Sequence, residues 1–186
     1  MRRERMKEML PHEKAVKKTT VYDGKIIKVR YDDVAFPNGS PAFREIVEHK
    51  GAVAVAAVDK EGCIYLVRQY RYAFDEELLE IPAGKLEEGE ENAQLEAAIR
   101  ELREETGLTA EHVEFLSVIY PSVAIFTEKI YLYLATGLSQ GEMDLDEDEY
   151  LNVERVPMAR FEEMVASGEI RDAKTICALT LIKNKL

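Results

Sequence analysis

The residues best placed to do chemistry are Glu101, Glu104 and Glu105, within the stretch Arg100-Glu101-Leu102-Arg103-Glu104-Glu105-Thr106-Gly107-Leu108. Separations of three and four residues bring side chains onto one face of a helix, so a helix here gathers three carboxylates. Like charges gathered in this way repel unless something cationic sits among them, and the missing cation is the inference. Carboxylate oxygens are hard ligands that suit Mg²⁺ or Mn²⁺. An ion of that kind brought to a phosphate polarises it, orients it and activates a water.

The positioning elements follow from periodicity and turn chemistry. The acidic helix is expected over residues 93–106, with Gly107 as its C-cap and with Leu95, Ala98, Ile99 and Leu102 as an apolar side offset from the glutamates. One face then enters a core while the other faces a cleft. Residues 52–58 and 63–69 are β-rich runs joined by the polar turn Asp59-Lys60-Glu61-Gly62, and residues 77–81 form a shorter strand. Further strands are expected at 113–120, 129–135 and 151–157. A helix over 158–167 is closed by Gly168, and an amphipathic helix covers 172–185. The pattern is α/β (α+β), a sandwich of helices around a mixed sheet.

Upstream, residues 1–12 are charged and end near Pro11, which reads as a short helix or a frayed tail. Strands are expected at 19–22, 25–34 and 43–49, with turns at Asp23-Gly24 and at Pro37-Asn38-Gly39-Ser40-Pro41. Asn-Gly between strand-like runs is a strong hairpin signal. The resulting small antiparallel sheet is too short to bury a core alone. Residues 1–46 are therefore expected to form an N-terminal β-sheet region that packs on the rest of the chain or on another subunit, which predicts a homodimer, and residues 47–186 the main domain.

With 186 residues the chain is long enough for a substantial core. A net charge of -11 argues against gripping a nucleic-acid backbone, which needs clustered Lys and Arg. A polyanionic small molecule would have to be recruited locally, by bound metal and a few arginines. Cys63 and Cys177 form neither a Cys-x-x-Cys knuckle nor a disulfide framework and read as reduced thiols. No apolar run reaches membrane-spanning length and no signal-peptide h-region is visible, so no membrane partner and a cytoplasmic location are expected. His12, His49 and His112 have no ligand spacing and none is read as catalytic. Tyr22, Tyr31, Phe36 and Phe43 are read as core or interface, with a stacking platform for adenine as the alternative.

Residues 84–108 resemble the Nudix box of the Nudix hydrolases: Gly, five residues, Glu, seven residues, then Arg-Glu-aliphatic-any-Glu-Glu-any-Gly-aliphatic. The C-terminal half matches at every position, and Gly84 and Glu90 keep their five-residue gap. Nine residues, 91–99, stand where the family has seven, and the two extra ones are expected to lengthen the turn entering the helix around residues 91–94. Flanking patches are similar to the ADP-ribose pyrophosphatase branch: Leu66-Val67-Arg68-Gln69-Tyr70-Arg71-Tyr72, Glu77-Leu78-Leu79-Glu80-Ile81-Pro82-Ala83-Gly84-Lys85, Tyr120-Pro121-Ser122 and Glu128-Lys129-Ile130-Tyr131. The branch usually continues Tyr-Pro-Ser with Pro-Gly, whereas Val123-Ala124 stand here, which predicts an altered loop near the terminal sugar.

The resemblance implies a Nudix-type α/β/α sandwich and roles position by position. Glu101 and Glu105 correspond to metal-ligating glutamates, Glu104 to a further ligand or water-orienting group, and the Ala83 carbonyl to a main-chain ligand. The cofactor implied is Mg²⁺, with Mn²⁺ as a substitute, at two or more ions per site. Arg71 corresponds to the arginine that holds the diphosphate, a task suited to a guanidinium fork; the alternative is a surface charge on a strand. Arg100 either steadies the glutamates by ion pairing or contacts substrate. Glu128 is placed among the substrate-binding residues, as is Arg44, reaching the adenine side across a dimer.

The acidic run 144–149 mimics the start of an EF-hand, but Glu149 and Arg155 stand where that loop needs Gly and Glu, so the calcium reading fails. The branch instead places a catalytic glutamate in a loop just before a strand, which matches Glu149, with Glu147 as second choice and a solvated loop as the alternative. The activity implied is Mg²⁺-dependent hydrolysis of ADP-ribose to AMP and ribose 5-phosphate. The alternatives are another nucleoside diphosphate sugar such as GDP-mannose, or a non-catalytic ligand-sensing module of the same fold.

Overall fold

The computed structural model describes residues 10–90, 92–145, 147, 149–183 and 185. They fall into two compact units, one comprising the chain through His49 together with Ser122–Thr127, the other Lys50–Pro121 together with the chain from Glu128 onward. Most of the expected segment 1–12 lies outside the described residues, and residues 10–13 run into the first strand without a helix.

In the first unit β1 (Lys14–Asp23), β2 (Lys28–Ala35) and β3 (Pro41–Glu48) form an antiparallel sheet in that order. The Asn38-Gly39 turn closes the β2–β3 hairpin: the Phe36 amide donates to Ser40 O at 2.9 Å and the Gly39 amide to Phe36 O at 2.8 Å. β1 is longer than its apolar core suggests because it is paired along all of β2, from Lys14 opposite Ala35 to Asp23 opposite Lys28, with bulges absorbing the mismatch. Residues 25–27, expected in a strand, instead make the bend, closed by the Gly24 amide on Ile27 O at 3.0 Å. Ser122–Thr127 joins this unit through the Val47 amide on Ile125 O, 2.8 Å, and the Thr127 amide on Val47 O, 3.0 Å.

In the second unit, among the described residues, seven strands form one mixed sheet: β4 (Ala52–Val58), β5 (Cys63–Arg71), β6 (Glu76–Glu80), β7 (Ala83–Lys85), β8 (Leu108–Ile119), β9 (Ile130–Gln140) and β10 (Leu151–Pro157). Their main order is β10-β5-β4-β9-β8, with only β4 and β9 parallel. β4 is buried on both faces, as an unbroken apolar strand must be. Val53, Val55 and Ala57 pack under α1 (Gln94–Thr106). Ala54, Ala56 and Val58 face α2 (Met158–Ser167) and α3 (Ala173–Ile182), through Phe161, Met164, Ala178 and Ile182. The result is a sandwich of helix, sheet and helices. Among the described residues no helix is long and apolar enough to cross a membrane.

Three departures from expectation shape the site. β4 and β5 pair only at Ala57–Tyr65 and Val58–Ile64; beyond that point β6 continues along β5 and β7 along β4. The short β7, unforeseen, thus carries residues 83–85 to the sheet. β8 and β9 extend their ladder from Ile119–Ile130 to Leu108–Gln140, with a bulge near Phe115 and Ser117. Finally, Leu95 and Ile99 are 41% and 46% exposed, while Ala97, Ala98, Leu102 and Glu105 are buried. The helix rests on its small side, since two alanines let it approach β4 closely, and that side carries Glu105 inward.

Candidate active site

Helix α1 ends where its sequence demands. Gly107 adopts φ 70 and donates to Arg103 O, and a Cβ there would meet Gly141 O at 2.7 Å, so both conformation and space call for glycine. The Gly141 amide donates to Gly107 O at 2.8 Å and the Asp144 amide to Glu104 O at 3.0 Å, which folds the chain leading to the acidic run onto the last turn of the helix.

Glu105 is 2% exposed, and its Oε2 accepts the Ala83 amide at 2.9 Å. Burial pushes its carboxyl up to about 8, against that one hydrogen bond, and the charges of Glu101 and Glu149 push the same way. Glu101 lies one turn earlier with its carboxylate against Gly84, in space a Cβ would need. Burial, with repulsion from Glu104 and Glu149, raises it to about 7 despite Arg100. The three-glutamate face is not devoid of cations, as a bare reading of its charges implies. Arg100 Nη1 reaches Glu101 at 2.9 Å and Glu104 at 2.8 Å, and Nη2 reaches Glu90 at 3.2 Å. Glu90, despite the longer insertion behind it, therefore still joins the cluster through Arg100. It also accepts the Glu87 amide at 2.8 Å. Of the insertion, Glu91 lies outside the described residues and the helix begins at Gln94.

Among the described residues no three His, Cys, Asp or Glu side chains converge as a metal cage. The donor chemistry nevertheless fits a hard divalent cation. Glu105 is a buried and Glu101 a half-buried carboxylate, both with under-compensated charge, and they adjoin the half-buried backbone of Ala83 and Gly84. Mg²⁺ commonly takes one or two carboxylates and completes its shell with water and substrate phosphate. Glu104 is turned to Arg100.

Arg71, at the end of β5, is neither a stray surface charge nor idle. Its Nε and Nη2 grip Glu80 at 2.7 and 2.8 Å, and the charge of Glu105 acts on it. Burial alone would raise Glu80, which is 3% exposed, but Arg71 and Lys174 outweigh it and hold the carboxyl down at about 2. Glu149 is half-buried just before β10, close enough for its charge to act on both Glu101 and Glu105. Glu147 is exposed, and Asp146 and Asp148 lie outside the described residues. Glu128 is half-buried two residues before β9. Arg44 belongs to the first unit, where it pairs with Glu13 and donates to Phe43 O at 2.7 Å. A surface hollow of about 300 Å³ beside α1, lined by Glu96, Ile99, Arg100, Arg103, Glu104 and Asp144, touches the cluster only through Arg100 and Glu104.

Lys174, Thr175 and Glu80 were not legible as site residues. Thr175 Oγ1 accepts the Ile81 amide at 2.9 Å and donates to Asp172, the N-cap of α3, at 2.6 Å. The Pro82 carbonyl accepts the Val55 amide at 2.9 Å. Residues 80–83 are thus pinned at every step, ending at the Ala83 amide on Glu105. The available signal was Glu80 itself, one charge inside the apolar run Leu78-Leu79-Glu80-Ile81, which must find partners if buried.

Comparison with known proteins agrees with this architecture. The NUDIX domain family matches residues 48–179, and the family described as the nucleoside diphosphate sugar hydrolase N-terminal domain matches residues 13–47. An ADP-ribose pyrophosphatase of Bacillus subtilis (strain 168) is 42% identical, covering 93% of this chain and 94% of its own. A methanol dehydrogenase activator of Bacillus methanolicus is 40% identical over 92% of each. The solved structure of an ADP compounds hydrolase superposes with a TM-score of 0.83 over 96% of both chains at 25% identity. On the match across most of its length, with the glutamate helix folded as described, this chain belongs to the NUDIX domain family.

Proposed function

We propose that this chain is a divalent-metal-dependent pyrophosphatase that hydrolyses ADP-ribose to AMP and ribose 5-phosphate. The observation that carries the reading is the pair Glu101, half-buried, and Glu105, buried, against the Ala83–Gly84 backbone, in a chain that aligns almost end to end with a pyrophosphatase named for that substrate. Glu101, Glu105 and the Ala83 carbonyl would hold the ion, with Glu104 orienting water or serving as a further ligand. Mg²⁺ is the natural occupant of such a hard oxygen set, and Mn²⁺ its substitute. When bound, the ion supplies charge neutralisation of the diphosphate and a more acidic water.

The chain's own residues then do the rest. Arg71 offers its guanidinium to the diphosphate. Glu149 takes the proton of the attacking water as the oxygen bonds to phosphorus and the bridging P–O bond breaks. The electron pair of that bond leaves on the second phosphate. Glu147 is the substitute base, and Glu128 a substrate contact. Net charge supports a small-molecule substrate in place of nucleic acid. The unpaired thiols Cys63 and Cys177 support a cytoplasmic location.

The N-terminal sheet β1–β3 supports a homodimer, because Val16, Val21, Tyr22 and Phe43 are exposed in the single chain; on this reading Arg44 reaches the partner's adenine side. Sedimentation velocity tests it, and a monomer at working concentration would refute the shared site. For the activity, ADP-ribose is incubated with the protein and Mg²⁺ and the products resolved by chromatography. AMP and ribose 5-phosphate in equal amounts, abolished by EDTA, are expected. Release of inorganic phosphate alone, or turnover unaffected by EDTA, would rule the reading out.

A further inference from the structure

We infer that Lys174, at the start of α3, is a positioning residue for substrate binding: it shares Glu80 with Arg71 and so keeps the Arg71 guanidinium available to the diphosphate. The inference rests on the reading of Arg71 given above.

Glu80 ends β6 with its carboxylate buried, and two cations meet on it. Arg71 of β5 approaches with Nε on Oε1 and Nη2 on Oε2, while Nζ of Lys174 also reaches Oε2. Lys174 is itself nearly buried, and its other partner is Asp172 at 3.1 Å, whose Oδ2 also serves the Thr175 amide and hydroxyl. A carboxylate presents the same two-pronged acceptor to a guanidinium as a phosphate does. Glu80 therefore competes with the diphosphate for the donors of Arg71. By occupying Oε2, Lys174 reduces what Glu80 demands of Arg71 and fixes the plane in which that fork lies. Without Lys174, Arg71 becomes the only cation on a buried charge, and pulling it toward substrate would leave Glu80 unpaired, a costly state for a carboxylate that is 3% exposed.

The inference is specific to binding. Lys174 acts on Arg71 through Glu80, while its other partner, Asp172, is held to Thr175 by the Thr175 amide and hydroxyl without Lys174, so its loss should weaken affinity and leave the chemical step nearly intact. It also predicts a rescue: with glutamine at position 80, no buried charge remains to hold Arg71 back.

The test measures calorimetric Kd for the non-hydrolysable methylene analogue of ADP-ribose, with KM and kcat for ADP-ribose beside it, in wild type, Lys174→Met, Lys174→Arg and Lys174→Met/Glu80→Gln. Lys174→Met is expected to raise Kd and KM roughly tenfold with kcat changed by less than about threefold. Lys174→Arg should stay near wild type, and the double variant should recover most of the affinity. Unchanged Kd in a folded Lys174→Met with a lowered melting temperature would reduce Lys174 to a stability role and overturn the inference. If Lys174→Met does not fold, Lys174→Gln beside Lys174→Gln/Glu80→Gln decides: a raised Kd in the first that the second restores to within about threefold of wild type supports the route through Glu80, and equal Kd in the two overturns it. Wild type that fails to bind the analogue would instead overturn the reading of the site, and this inference with it.

Discussion

The carboxylate of Glu101 occupies the space that a Cβ on residue 84 would take, so it lies against β7 there only because residue 84 is glycine. The group in the way is the flexible end of a side chain, not backbone. Gly84→Ala should therefore fold, with a stability change of about 1 kcal/mol or less, yet displace the Glu101 carboxylate that lies against Gly84. A fall of at least about tenfold in kcat/KM, with a higher Mg²⁺ requirement, is expected. Wild-type activity in folded Gly84→Ala would separate Glu101 from the chemistry.

Glu105 tests the same cluster from the other side. Burial and the neighbouring charges of Glu101 and Glu149 disfavour its ionised form in the protein without metal. Glu105→Gln keeps an oxygen for the Ala83 amide and removes a repelling charge, so in EDTA it should melt no lower than wild type. Activity should drop by about two to three orders of magnitude, about 3–4 kcal/mol of transition-state stabilisation. Thermal melts and initial rates on one preparation check both halves.

Glu80 predicts acid sensitivity. Its folded pKa of about 2 lies below the ordinary 4.5, so the folded state binds fewer protons than the unfolded state between those values. The contribution is full above about 4.5 and is lost as pH falls through about 2; for a group this buried it is on the order of 3 kcal/mol. Urea midpoints measured from pH 5 to 2.5 should fall less steeply in Lys174→Met/Glu80→Gln than in wild type. Parallel pH profiles would place the acid sensitivity elsewhere.

Glu149 and Glu147 differ in exposure and reach: Glu149 is half-buried and its charge acts on Glu101 and Glu105, whereas Glu147 is exposed. Glu149→Gln should cut kcat strongly and leave KM nearly unchanged, as expected of a group acting mainly in the transition state. Glu147→Gln should be close to wild type. A shifted Mg²⁺ dependence in Glu149→Gln would make it a ligand in place of a base, and near-wild-type kcat in both would return the loop to solvent.

Local signals made much of the fold legible. Gly107 and Gly168 mark the ends of α1 and α2, and both take the left-handed conformation that glycine permits. The Asn38-Gly39 hairpin and the strand Leu151–Pro157 were equally plain. On α1, Ala98 and Leu102 are buried as expected, but Leu95 and Ile99 are not, because hydrophobicity favours them whereas close approach to β4 favours Ala97. Size won over polarity, and Glu105 was carried inward with Ala97. The polar set behind the site was illegible for another reason: Lys174 and Glu80, and Thr175 and Ile81, are 94 residues apart, and no periodicity within one element reports a partner in another. β7 was hidden because its three residues pair only where β4 and β5 separate.

The most direct test of the central claim is a competition in one vessel: ADP-ribose, GDP-mannose and a nucleoside triphosphate at equal concentration with Mg²⁺, the kcat/KM ratios read from their relative rates of disappearance. The account predicts that ADP-ribose is consumed first, by at least about tenfold in kcat/KM, and that none is consumed in EDTA. Faster consumption of GDP-mannose or of the triphosphate would contradict it.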